Sequence, residues 1–404
     1  MLGAIKILHC KVRVKKFLCM FCHTMSQMTG ESETTPETNR SRDTGRRTFL
    51  KAAGATGAVG LSAGCLGGGG GSGGTPTINI LTWEEYADLK KQIESRLDVK
   101  VKFTKSTSSS KMFSSWNSGQ NEQYDIAVPN NNYVPKMMDA GLVDPMPKDV
   151  VSNYSDIYKT FKGFADNQFT KDGKQYGVPI RFGWYGYSYN SNKVEDHDPT
   201  YEMLFKDKYK GKIVMYDNHF KAMSAAALHL GMGDAFKGKK VSLSQQQIDK
   251  VKQALIDQKP LLQGYIAADP TYIKSLKQGN FVIGQSGRNE IVEMWANGTD
   301  WPEMAAPKEG ALAWFESAVV SKASQNKEMA WKVINEFIAP KLGAKLGKVG
   351  YSPSCNPNIK KHLNEEQNKM FGSIDPSRLD GMIPFKAVEN EDAWITAWEE
   401  VKTA

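Results

Sequence analysis

The stretch INILTWEEYADLKKQI carries Trp83, Glu84, Glu85 and Tyr86 in an unbroken row behind a short apolar run. Carboxylates beside aromatic rings are the groups that hold an ammonium ion. The acids supply opposite charge and the ring faces a negative quadrupole, each desolvated cation–π contact contributing on the order of 2 kcal/mol. The same four residues also suit an ordinary surface helix, because acids are favoured in a first turn. On these residues alone both readings stay open.

Other chemistries have less to work with. Cys10, Cys19, Cys22 and Cys65 precede the body of the chain and Cys355 stands alone in it, so neither a disulfide scaffold nor a cysteine-rich metal site is available there. His197, His219, His229 and His362 lack paired-ligand spacing, and no metal or cofactor is expected. The body contains no G-x-S-x-G, no H-E-x-x-H and no phosphate loop; GMGDAFKGKK has the wrong spacing. Glu84 and Glu85 could mimic a catalytic acid pair, but adjacent residues on a helix do not face each other. A secreted enzyme is therefore the least expected reading. The formal charge of +8 comes largely from the first 64 residues; beyond them 42 basic residues face 40 acidic ones. Nothing in that balance calls for a nucleic-acid partner.

The N-terminal region reads as an address. Arg46 and Arg47 precede Thr48, Phe49, Leu50 and Lys51, followed by a weakly apolar Ala/Gly run, small residues, Cys65 and a glycine-rich tether. This resembles a twin-arginine export signal joined to a lipoprotein box, with Cys65 as the lipid attachment point. Residues 1–64 are thus expected to be an export region and 65–76 a lipidated tether. The anchored protein would sit on the outer face of the cytoplasmic membrane. Upstream, Cys19, Cys22 and His23 have the C-x-x-C-H spacing of c-type haem attachment. They precede the signal and would be removed with it, which points to a translation start at Met25 or Met28.

Positioning these groups falls to an alternation of short β-rich runs and helical patterns from Thr77 onward, the mark of an α/β protein. Strands are expected at TINILTW, VKVKFTKS, YDIAVP, KQYGVPIRFGWYGYSYN, GKIVMYD, FVIGQS and ALAWFESAVV. Helices are expected over 84–97, 133–140, 220–230, 244–256, 269–277 and 327–337. Three strands run straight into polar residues that open a helix: YDIAVPNNNYVPKM, IVMYDNHFKAM and FVIGQSGRNEIVEMW. Such strand ends gather on one rim of an open sheet, where ligands bind. Asn, Asp and Ser are also the preferred helix caps, so each alone suits capping as well.

The order of these landmarks resembles the solute-binding proteins of ABC importers, most closely the spermidine/putrescine-binding group. The likeness runs from about Ile78 to Asn358 and is carried by WEEY, YDIAVPNNNYVPKMMDAGLVDPM, YGVPIRFGWYGYSYN, YKGKIVMYDN, KSLKQGNFVIGQSG, PKEGALAWFESAVV, AWKVINEFI and KVGYSPSCNPN. It implies a type II periplasmic-binding fold: two α/β lobes joined by crossing strands, closing over a ligand. The crossings are expected near VPIRFGWYG, ALAWFESA and SPSCNPN. Residues 77–180 with about 314–355 would form lobe 1, and 181–313 with about 356–404 lobe 2.

The resemblance also implies roles. Aromatic walls fall on Trp83, Tyr86, Trp314 and Tyr351, and amine-binding acids on Glu85 and Glu316, with Glu84 an added acid. Asn130 and Asn132 replace a Ser and a Tyr of the relatives, Asn218 and Lys221 replace two acids that pin a distal amine, and Gln285 replaces a wall tryptophan. Lys221 would either face the cleft or point to solvent. In the cleft it would oppose a second ligand ammonium by about 4 kcal/mol at about 4 Å and an effective dielectric near 20. The expected function is a lipid-anchored, monomeric binding protein that serves a cognate ABC permease and captures a polyamine or related small amine. The alternatives are a zwitterionic, amino-acid-like compound held by Glu85 and Lys221, or an organic anion held by Lys221, Arg181 and helix N-termini.

Overall fold

The structure, a computed structural model, describes residues 75–372 and 381–404. The signal residues Arg46 and Arg47, the lipid-attachment residue Cys65 and the Cys19, Cys22 and His23 motif lie outside the described residues.

Twelve strands are formed among the described residues: β1 (Thr77–Thr82), β2 (Lys100–Lys105), β3 (Ile126–Ala127), the hairpin β4 (Thr170–Lys171) and β5 (Lys174–Gln175), β6 (Val178–Asn190), β7 (Ile213–Tyr216), β8 (Leu262–Ile266), β9 (Ile283–Gly287), β10 (Pro302–Ala305), β11 (Leu312–Val320) and β12 (Ile383–Pro384). The long sheet runs β2-β1-β3-β11-β6-β9-β7-β8, with β10 added on β6 and β12 on β11. At its two ends the pairing is parallel, β1 with β2 and β3, and β7 with β8 and β9. The middle is antiparallel, β11 against β3 and β6, and β6 against β9. Helices cover the faces, which is why the inner strands read as continuous apolar runs.

The two middle strands tie the molecule together. β11 pairs with β6 from Leu312 to Ala318, then with β3 through Val319 and Val320; its register slips between Glu316 and Ser317. A third segment runs beside them, Phe182 N–H donating to Pro353 O at 3.0 Å and Cys355 N–H to Ile180 O at 2.8 Å. Cys355 is fully buried there, as a small apolar residue would be. One hydrophobic core draws on Ile78 through Phe182 and Phe315 through Cys355; a second draws on Tyr185 through Trp314 and Phe385 through Val401.

Eleven helices serve the argument: α1 (Lys90–Leu97), α2 (Ser109–Asn117), α3 (Val134–Asp139), α4 (Lys159–Gln168), α5 (His219–His229), α6 (Gln245–Gln258), α7 (Asp269–Lys277), α8 (Arg288–Ala296), α9 (Lys327–Phe337), α10 (Pro340–Val349) and α11 (Glu391–Thr403). Side chains cap several of them. Ser108 Oγ accepts from Lys111 N–H at the start of α2, and Ser244 and Gln247 form a reciprocal capping box on α6. The helix expected from Glu84 instead begins as a 3-10 segment, Glu84–Leu89, before α1. Trp83 stands at its cap and offers no side-chain acceptor, leaving the first N–H groups to tighter turns.

Candidate functional site

A cavity of about 220 Å³ opens beside the two middle strands, lined by Trp83, Glu85, Asn130, Arg181, Tyr185, Asp269, Asn289, Trp314, Glu316 and Gly350. These residues come from the end of β1, the turn after β3, β6, the first turns of α7 and α8, β11 and the end of α10. The strand-end rim anticipated from the sequence is therefore one part of the site, and the middle strands are the other.

Arg181 is the centre of one wall. It is 4% exposed, and all five of its N–H groups are spent within the protein. Nε and Nη2 donate to the two oxygens of Glu316, both at 2.6 Å; Nη2 also meets Glu85; Nη1 donates to Gly350 O and Ser352 Oγ, both at 2.9 Å. The fork matches a carboxylate edge, which makes the Glu316 pair bidentate. Gly350 permits this approach, since a Cβ there would collide with Nη1. Tyr86, fully buried and set edge-on to Phe337, donates its hydroxyl to Glu316 Oε2 at 2.7 Å. The guanidinium carbon lies 5.8 Å from the Tyr86 ring and 5.9 Å from the Trp314 ring. Burying the charges is tolerable because each is paired and hydrogen-bonded.

The opposite wall is a second cluster. Tyr216 Oη lies 2.6 Å from Asp269 Oδ1 and also contacts Glu290 Oε1, but a phenol has one proton to give. Burial, helped by the charge of Asp269, pushes the Glu290 carboxyl up to about 8. This favours the protonated form of Glu290 and eases the competition of the two carboxyl groups for the one phenolic proton. Asn289 Nδ2 donates to Asp269 Oδ2 at 3.0 Å. Lys221 Nζ sits 3.8 Å from the cavity-lining ring of Tyr185 and 3.9 Å from Tyr216. Burial lowers its affinity for a proton, while Asp269 and Glu290 raise it.

Of the residues singled out in the sequence, Trp83, Glu85, Asn130, Trp314 and Glu316 meet in the cavity wall. The others are placed differently. Glu84 points to solvent and pairs with Lys105, because its neighbour already turns inward and successive residues on a turn diverge. Tyr86 lies beneath the wall and supports Glu316. Asn132 is buried outside the lining. Asn218 caps α5, its Oδ1 accepting from Lys221 N–H at 3.0 Å. Gln285 is fully buried, donating to Lys221 O at 2.8 Å and accepting from Tyr216 N–H at 3.3 Å. Lys221 lies between two rings, partly exposed and outside the cavity lining. Tyr351, with φ of 52°, follows Gly350 without joining the lining.

Arg181, Tyr185, Asp269 and Asn289 were not assigned to an amine site from the sequence. Arg181 carried a signal: it is the only charged residue in the 13-residue apolar strand β6, and a charge in such a strand must find a partner.

Comparison with known proteins follows from this geometry. The family model described as bacterial extracellular solute-binding protein matches residues 88–369. The chain belongs to this family. The solute-binding protein is 25% identical over 297 residues to the spermidine/putrescine-binding periplasmic protein of Escherichia coli (strain K12), spanning 72% of this chain and 80% of that one. It is 20% identical over 356 residues to a putrescine-binding periplasmic protein of Pseudomonas aeruginosa, spanning 81% and 92%. Among solved structures it superposes on a spermidine/putrescine ABC transporter substrate-binding protein of Streptococcus pneumoniae with a TM-score of 0.67 at 20% identity, covering 81% of this chain and 99% of that one. The solute-binding protein thus has the type II periplasmic-binding fold anticipated from its sequence, with the cavity set against the crossing strands.

Proposed function

We propose that the chain is the solute-capturing subunit of an ABC importer and binds a small aliphatic amine in the cavity bounded by Trp83, Tyr185 and Trp314. The observation that carries this reading is convergence: three aromatic side chains and three carboxylates, Glu85, Asp269 and Glu316, line one small cavity. Rings accommodate methylenes and carboxylates accommodate an ammonium. The spermidine- and putrescine-binding names of the bacterial relatives support the amine class. An organic anion is disfavoured, since the guanidinium in the wall has already spent its donors. The two hydrophobic cores serve as the two lobes, and closing them would complete the site.

The reading extends to the cell surface. Arg46 and Arg47 direct export and Cys65 carries the lipid that holds the monomeric protein near its cognate permease. Fatty-acid labelling of the full chain in cells, lost in Cys65→Ala, tests the anchor; equal labelling of the variant overturns it. The ligand class is tested by thermal shift against aliphatic amines and organic acids, because a ligand that binds only the folded state raises its apparent stability. Stabilisation by acids with no response to any amine overturns it.

A further inference from the structure

Two positions at or beside the cavity wall are suited to a cation, and the chain fills both with its own side chains. The Arg181 guanidinium lies between Glu85 and Glu316 near the rings of Tyr86 and Trp314. The Lys221 ammonium lies between Tyr185 and Tyr216, in the field of Asp269. Three carboxylates, Glu85, Asp269 and Glu316, line the cavity against these two built-in cationic side chains, while burial pushes Glu290 toward its neutral form. Glu85 meets Arg181 through Oε1, so its Oε2 is the acceptor left for an incoming ammonium.

The remaining polar groups suit a different partner. The indole N–H groups of Trp83 and Trp314 are buried in the wall without a protein acceptor, and a buried donor costs free energy until an acceptor arrives. A second ammonium laid on Tyr185 would meet Lys221, which sits 3.8 Å from the centre of that ring, like charge against like charge.

Building on the amine reading above, we propose that the solute of this cleft carries a single ammonium, seated on Glu85, and a hydrogen-bond-accepting group such as a carboxylate in place of a second ammonium. The site then selects amino-acid-like compounds over diamines of the same chain length.

Isothermal calorimetry on the full chain tests this with 5-aminopentanoate, putrescine, spermidine and butylamine, the first two sharing four methylenes and differing at one end. The expected result is 5-aminopentanoate binding at least tenfold tighter than putrescine and tighter than butylamine. Lys221→Gln should narrow the first gap by improving putrescine binding. Putrescine or spermidine binding as tightly as 5-aminopentanoate overturns the inference and leaves the amine reading standing. Butylamine matching 5-aminopentanoate overturns the acceptor group. Failure of all four to bind overturns both readings. The wild-type panel decides the matter even if the variant does not fold.

Discussion

Arg181 stands directly opposite Glu316 across the β6–β11 pair, joined to it by two N–H···O bonds of 2.6 Å. The pair is buried and also holds Glu85, Gly350 and Ser352. Removing the arginine strands carboxylates in an apolar setting, whereas removing a solvated surface ion pair costs little. Arg181→Met is expected to lower unfolding free energy by about 3–5 kcal/mol in urea titration. Arg181→Lys should recover only part of it, since an ammonium cannot reproduce a five-donor fork. A loss below about 1 kcal/mol would count against the cluster's structural weight.

Trp83 and Trp314 differ in what surrounds them: Trp83 is partly exposed, Trp314 only 7% exposed and part of the second core. Trp83→Ala should weaken amine binding by about tenfold or more at nearly unchanged melting temperature, following the scale of a cation–π contact. Trp314→Ala should weaken binding and also cost about 3–5 kcal/mol of stability. Calorimetry and denaturant unfolding measured side by side separate the two effects.

Glu290, raised to about 8, gives a pH dependence whose sign is fixed. The folded state keeps a proton that the unfolded chain releases near pH 4.3. Its stabilising contribution is present in full below that value and is lost as pH rises through about 8. Wild type should lose on the order of 1–3 kcal/mol between pH 5 and 9 relative to Glu290→Gln. Amine affinity should rise over the upper part of that range as the site gains negative charge. Parallel pH curves for the two proteins would refute the assignment.

Glu391 behaves oppositely. The His219 ring, 3.6 Å away, with the hydrogen-bonded Lys136 ammonium adding to it, lowers its carboxyl to about 2. Its contribution is therefore present above about pH 4.3 and is lost as pH falls through about 2. The side chain is partly solvated, so screening reduces the worth of the cluster to on the order of 1 kcal/mol. Glu391→Gln should cost that much at pH 7 and almost nothing at pH 2, read from urea midpoints.

Much of the scaffold was legible because its cues are local. The 269–277 and 327–337 helices have the bounds expected, and Asn218 does what an Asn before a helix ordinarily does. Helix α10 was missed because PKLGAKLGKV contains glycines at 343 and 347, poor helix formers. Those glycines are explained by a distant neighbour, for a Cβ at Gly343 would lie 2.9 Å from Ser354 Oγ and one at Gly347 3.1 Å from Ser352 O. The polar, serine-rich α2 was missed for a similar reason, its buried Met112 and Trp116 being fixed by tertiary packing. In the cavity, two residues of WEEY, Trp83 and Glu85, form part of the lining. The role of Arg181 depends on Glu316, 135 residues away, and no local pattern reports such a pairing.

β11 belongs to both halves of the sheet, and its register slips at Glu316 and Ser317. A slip of this kind bends a strand locally. The connection between the lobes therefore resembles less a tether than the spine of a book, creased at the edge of the cavity. A residue that lines the cavity is also the place where the register slips. Whatever reshapes the hydrogen bonds of Glu316 acts on the cavity wall and on the crease of the strand at once.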